Sequence, residues 1–303
     1  LTLDYFKDTR DGIFQERKQI PDYVGLIQMP YGNIGRMKSW GADGNMEFYQ
    51  QIGKDAHVIL RSNFTLSKNK ILNWEDTKKP YTYLENNGYA NNVQRGFVAM
   101  GLFKDQQDVE MSPTQFGTVR PGDIKYVDID GDGSITNKDE VAMGGTVNPE
   151  IVYGFGAQLF WKGFDFGIFF RGQAHVTYGL GGDTFIPFNK GVGKGNLFEK
   201  ALDRWTEDNP NPNASYPRLT TAYNTNNNQN STFWLRNAAF LKLKNAEIGY
   251  SFKNMRIYVS GNNLLTFSKF KLWDPEMGGG SGMSYPTQRT FNVGFQMTIN
   301  NNR

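Results

Sequence analysis

The sequence predicts an all-β fold of antiparallel hairpins of the membrane-spanning barrel type. Three observations carry this. Apolar and polar residues alternate with period two through much of the chain, tight turns and long connections strictly alternate, and no apolar run approaches the ~18 residues a transmembrane helix needs. Aromatics make up 15% of the 303 residues and glycine occupies 34 positions, the usage expected of strands and the turns between them.

Taken in order, "LTLDYF" opens a strand at about 1–8. Residues 40–52 carry the alternation faintly, through Ala42, Met46 and Phe48. In 56–67, Val58, Leu60, Phe64 and Leu66 oppose His57, Arg61, Asn63 and Thr65, with Ile59 and Ser62 out of phase. The clearest hairpin is "YGFGAQLFWKGFDFGIFF". Across 151–162, Tyr153, Phe155, Ala157, Leu159 and Trp161 share one side. After Lys162-Gly163, the strand at 164–176 continues that side with Phe164, Phe166, Ile168 and Phe170. In 240–252, Ala246, Ile248, Tyr250 and Phe252 alternate with polar or small residues. Met255, Ile257 and Val259 do the same in 255–267, and Phe291, Val293, Phe295, Met297 and Ile299 in 288–300.

These eight candidate strands are joined by tight turns at Gly53-Lys54-Asp55, Lys162-Gly163 and Lys253-Asn254, and by long connections at 9–39, 68–150, 177–239 and 268–287. Parity puts every tight turn on one side and every long loop on the other. A soluble sandwich has no reason to sort its loops so, whereas outer-membrane barrels combine short periplasmic turns with long external loops. Trp161, Phe164, Tyr250 and Phe252 crowd the tight turns, where amphipathic rings sit at headgroup level. Phe166, Ile168, Val293 and Phe295 are then expected to face lipid, and Gln158, Arg171, Gln173, Asn292 and Gln296 the lumen. Alternation alone also suits the inner faces of a soluble β-sandwich.

"NTNNNQN" (224–230), "EMGGGSGM" (276–283) and "EDNPNPNASYP" (207–217) read as coil in the external loops, and "NLFEKALDRW" (196–205) as a loop helix. The net charge of +3 and the lack of a basic block with interleaved aromatics argue against a nucleic-acid partner. Zero cysteines exclude disulfides, cysteine-zinc sites and thiol catalysis. The chain opens without an initiator Met or signal peptide, as expected of a mature or truncated piece of a longer protein.

The sharpest chemical motif is "DIDGDGSITNKD", residues 128–139, within an expected external loop at 123–145. Asp128, Asp130 and Asp132 occupy positions 1, 3 and 5 of a calcium-loop pattern, and Gly133 makes the turn at position 6. Ser134 offers its carbonyl at position 7, Thr136 a hydroxyl or a water at position 9, and Asp139 closes at position 12. Asp has less reach there than the usual Glu, and Glu140 is a possible substitute. The flanks suit a lone structural Ca²⁺ loop, or an Asp/Gly turn that binds nothing.

Other constellations are weak. His57 and His175 lack metal-ligand spacing and read as pore or rim residues, and the pairs Asp203/Glu207 and Asp139/Glu140 as solvated charges. "GVGKGN" (191–196) lacks the spacing of a phosphate loop, so nothing argues for an enzyme. Trp74, Tyr81, Tyr83, Phe185, Phe188, Trp273 and Tyr285 either line a vestibule, where rings stack on sugars or peptide side chains, or pack the loops together.

Several stretches in order resemble the SusC/RagA family of TonB-linked outer-membrane transporters of Bacteroidota. They are "GDIKYVDIDGDGSITNKDEVAMGG", "NPEIVYGFGAQLFWKGFDFGIFFRGQ", "DRWTEDNPNPNASYPRL", "FLKLKNAEIGYSF", "IYVSGNNLLTFSKF", "WDPE" and "YPTQRTFNVGFQMTI". "NIGRMKSWGADGNMEF" (33–48) is similar to the segment leading into an earlier strand, although Ala42-Asp43-Gly44 departs from the family's wording. The resemblance implies that residues 1–303 are the C-terminal part of a large antiparallel transmembrane β-barrel with long extracellular loops. The family barrel has about 22 strands around a plug, of which this chain carries eight or more, without the plug and early strands. It further implies a multi-pass outer-membrane importer without enzymatic activity, energised through TonB and lidded by a SusD-like surface lipoprotein, for a large glycan or peptide nutrient. The rival readings are a soluble calcium-dependent carbohydrate-binding β-sandwich, a glycoside hydrolase on a β scaffold, and a simpler pore or adhesin barrel.

Overall fold

A computed structural model describes residues 1–189 and 197–299. Eight of their strands form one antiparallel sheet in which each strand pairs with its sequence neighbours. These are β1 (Thr2–Glu16), β2 (Tyr31–Ile52), β3 (Ala56–Asn73), β4 (Ile151–Trp161), β5 (Phe164–Ala174), β6 (Phe240–Phe252), β7 (Met255–Ser268) and β8 (Thr290–Met297). All eight expected strands are present, and the three tight turns fall where the sequence placed them. Lys162 and Gly163 both take positive φ (47° and 86°), the pairing of a two-residue turn whose twist matches that of its strands.

Register carries the face assignment across the sheet. Trp161 lies opposite Phe164, Phe164 opposite Tyr250, Tyr250 opposite Ile257 and Ile257 opposite Phe295. Next to that row run Gln158, Gly167, Glu247, Ser260 and Asn292 on the other face. Residues directly opposite share a face, so the apolar stripes of separate strands merge into one surface. Nothing among the described residues covers it: Phe166 is 41%, Ile168 46% and Phe295 60% exposed. A soluble monomer rarely leaves so large a patch bare, which removes the sandwich reading.

The hydrophobic core lies elsewhere. Phe97, Ile124, Tyr126, Tyr178, Trp205 and Trp234 are among sixteen buried residues packed together, every one outside the eight strands. They come from the long connections, which fold together at the end of the sheet opposite the tight turns. Small two-stranded pairings tie them: Val93–Gly96 with Val141–Thr146, Ala99–Leu102 with Ile124–Tyr126, and Thr177–Gly179 with Leu235–Asn237. No helix among the described residues is long and apolar enough to cross a membrane.

Three expectations need correction. The first long connection spans 17–30, not 9–39, because β1 and β2 extend well beyond the alternating segment. The 22 residues of β2 run to about 70 Å, far past a ~25 Å apolar band, and outside that band no inside/outside pattern is imposed. The segment expected as a helix at 196–205 is not an α-helix over its described residues, 197–205. It holds one 3₁₀ turn, Glu199–Leu202, which aims Ala201 at the loop core and leaves Leu202 in solvent. The asparagine-rich run is not loose coil, since Asn226 and Asn227 are buried. Asn196, the "GVGKGN" segment and Asn300 lie outside the described residues.

Candidate functional site

On the polar face, β6 carries a feature that parity in the sequence hides. A bulge between Leu243 and Asn245 shifts the register against both neighbours, so Lys242, opposite Arg171, joins the lumenal face with Asn245 and Glu247. Lys242 is 1% exposed. A buried ammonium persists only when paired, and two carboxylates serve it: Asp274 Oδ2 at 2.5 Å and Glu276 Oε2 at 2.8 Å. Glu276 also receives Lys244 at 2.8 Å and Arg171 at 3.1 Å. Tyr178 donates its hydroxyl to the Pro275 carbonyl at 2.9 Å, and Thr287 donates to Asp274. The stretch 273–278 is thereby clasped against the barrel wall.

The charges there are tuned in opposing directions. Burial pushes the Asp274 carboxyl up, but hydrogen bonds from Lys242, Thr287 and the Glu276 amide outweigh it and hold it below the usual range. Glu276 is likewise raised by burial and lowered further by Lys242 and Lys244, with a net downward shift. Sequence reading caught Arg171 as lumenal but missed Lys242. A lysine flanked by Leu241 and Leu243 was the available signal, masked by the bulge.

In the loop assembly, Asp123 is fully buried and organises the asparagine run. Asn224 and Asn227 donate to its Oδ1 at 3.0 and 2.8 Å, and Arg218 to its Oδ2 at 3.0 Å. Asn226 and Asn227 exchange further hydrogen bonds with the Ile124 backbone. Amides thus replace strand partners for a buried backbone that would otherwise be unpaired. Beside this network lies a cleft of about 320 Å³ lined by Gln94, Arg95, Tyr223, Asn228 and Gln229. The Asn228 Oδ1 is buried and makes no hydrogen bond among the described residues.

The aspartate loop folds around its own carboxylates. Asp128, Asp130 and Asp139 bring one oxygen each within 4.8 Å of one another. Asp139, not Glu140, belongs to this cluster: its Oδ1 accepts from Ile129 N at 2.7 Å and its Oδ2 from Thr136 N at 2.8 Å. Asp128 accepts from the amides of Gly131 and Gly133. Asp132 stands apart, its Oδ2 3.0 Å from Lys138 Nζ, while its Oδ1 accepts from Ser134 N. Thr136 accepts from Lys138 N and caps the turn Asn137–Asp139. The donor set is all oxygen, which fits a hard cation of the calcium type better than a soft metal.

The other singled-out residues have plain roles. His57 stacks on Phe160 at 4.5 Å on the lumenal face, and His175 lies 3.3 Å from Glu150 at the rim. Asp203 accepts from Ser215. Of the loop aromatics, Phe185 is buried and Trp273 packs on Phe270 and Phe185, so these two hold loops together; Tyr285 stays exposed.

Comparisons with known proteins agree with this architecture. No protein-family model matches the chain. It is 25% identical to TonB-dependent receptor P3 of Formosa agariphila over 98% of this chain and 32% of that protein. It is 30% identical to TonB-dependent receptor P26 of the same organism over 68% of this chain and 22% of the relative. TonB-dependent receptor SusC of Bacteroides thetaiotaomicron is 23% identical over 95% of this chain and 29% of its own length. Among solved structures, the RagAB peptide transporter superposes with a TM-score of 0.71 at 24% identity, covering 97% of this chain and 33% of that one. The chain therefore spans about a third or less of the proteins it matches, and those proteins are receptors and transporters. By sequence and fold together, it is part of the β-barrel of a TonB-dependent receptor of the SusC/RagA family.

Proposed function

We propose that this chain supplies one side of the wall and the outer vestibule of an outer-membrane importer. The complete receptor takes up a large nutrient, an oligosaccharide or a peptide, with energy delivered through TonB and a SusD-like lipoprotein closing its outer mouth. The observation that carries this reading is the uncovered apolar face, continuous across the sheet, joined to a folded loop layer at one end only. Such a wall needs hydrocarbon on one side and a polar passage on the other, lined here by Arg61, Asp165, Glu247 and Arg256. The amide-rich cleft around Asn228 offers acceptors and donors suited to sugar hydroxyls and to peptide amides alike.

The test is growth of the native bacterium on defined sole nutrients, with the full receptor gene intact, deleted or restored. Loss of growth on large oligosaccharides or on peptides, with monomers still supporting it, is expected, together with loss on removing TonB. Unchanged uptake of every large nutrient after deletion would refute the importer reading. Co-purification from outer membranes reads out the lipoprotein separately.

A further inference from the structure

The aspartate loop holds a buried carboxylate oxygen to which no hydrogen bond is made among the described residues. Asp130 has a fully buried side chain, and its Oδ2 makes no hydrogen bond. That carboxylate belongs to the same cluster as Asp128 and Asp139. Most other carboxylate oxygens of the loop accept backbone amides, so this one stands out. Among the described residues the one cation paired with these carboxylates is Lys138, whose Nζ lies 3.0 Å from Asp132 Oδ2 and 3.8 Å from Asp130 Oδ2. Its own side chain is half exposed, so it can leave without disturbing packing.

We propose that the loop is a Ca²⁺ site in which the ion displaces Lys138, drawing Asp132 in beside Asp128, Asp130 and Asp139. Lys138 is a resident counter-charge, present when calcium is scarce and expelled when it binds. Oxygens bound to one calcium at ~2.4 Å lie at most ~5 Å apart, so the observed spacing already accommodates the ion. Four carboxylates against one ammonium leave a surplus of negative charge that a divalent ion neutralises and a lysine does not.

A second segment borders the site. Tyr83 donates its hydroxyl to the Lys138 carbonyl at 2.8 Å, and Tyr81 stacks on Tyr83 at 5.2 Å. Calcium binding therefore registers in the 81–83 segment as well as in the loop that ligates it.

Those rings provide the readout. Terbium is added to the full receptor in detergent, tyrosine is excited, and Ca²⁺ is titrated in as competitor. Saturable terbium emission displaced by calcium is expected, reduced at least about tenfold in affinity in Asp130→Asn, as befits loss of a charged ligand. Lys138→Met, which keeps the stem and removes the charge, is expected to bind calcium about fivefold tighter, the scale of one ammonium–carboxylate contact ~4 Å apart in water that the ion no longer has to break. Because Lys138 is exposed, its substitution leaves folding intact and isolates the exchange. Absence of calcium-displaced emission in the parent protein, or emission unaffected by Asp130→Asn, would overturn the site. Unchanged or weaker calcium binding in Lys138→Met would overturn the exchange.

Discussion

Replacing Ile168 by arginine puts a charge on the apolar face near its mid-height. Ile168 is four residues from Phe164 in the turn-side aromatic row, or about 14 Å along the strand and roughly 10 Å above that row at a ~45° tilt. An apolar band ~25 Å tall places that position close to the bilayer centre, where arginine on the lipid face costs about 2–4 kcal/mol. That corresponds to a folding constant lowered about 30- to 700-fold. The matched control is Ser260→Arg on the opposite face, in the row containing Glu247, where an added cation gains a carboxylate neighbour and is expected to change stability by less than about 0.5 kcal/mol. Both are read by urea titration of the full receptor in phospholipid vesicles, scoring the folded fraction by heat-dependent gel mobility. Equal losses at the two positions, or no loss at Ile168, would refute the face assignment.

Further outcomes follow from the loop layer and the clasp. Trp234, buried against Tyr216 and Phe233, is expected to cost about 3–5 kcal/mol of loop-layer stability when changed to Ala, seen as faster amide exchange at Ile124–Tyr126 with the barrel strands unaffected. Asp274 and Glu276 have depressed folded-state pKa values, so their contribution is present above the ordinary carboxylate range and disappears as pH falls through the folded values. Protection from amide exchange at Met277 and Gly278, taken relative to the intrinsic rate at each pH, should therefore fall below about pH 4 and be full at neutral pH; protection that does not change with pH would contradict the clasp. Lys242→Met should bring the same loss of protection at neutral pH, because Asp274 loses its closest cation.

What could be read in the sequence depended on whether a constraint acts locally. Within the membrane band, each residue of "FDFGIFF" meets either hydrocarbon or lumen, and period two is imposed position by position. The three tight turns were legible for the same reason, since Lys162-Gly163 must supply positive φ. Beyond the band that discipline lapses: β1 and β2 continue through Lys7–Arg10 and Gly35–Ser39 past the reach of hydrocarbon, and the pattern vanishes although pairing persists. The bulge at Lys244 reverses parity without any glycine or proline to announce it. The loop layer was hidden more deeply. Its core joins Phe97, Tyr126, Trp205 and Trp234 across distant segments, and Asn226 and Asn227 look like solvated coil until Asp123 and the Ile124 backbone are placed beside them. The aspartate motif was legible because its ligands lie within twelve consecutive residues, but the position of Lys138 against Asp132 was not.

Hydrocarbon contact along β5 is the most direct measurement of all. Single cysteines at positions 164 to 169 of the full receptor, spin-labelled in lipid bilayers, report access to oxygen, which partitions into hydrocarbon, and to a water-soluble nickel chelate. The expected result is alternation of period two, with oxygen access high at Phe164, Phe166 and Ile168 and low at Asp165, Gly167 and Phe169. Uniform access along the strand, or an inverted phase, would contradict a lipid-facing wall.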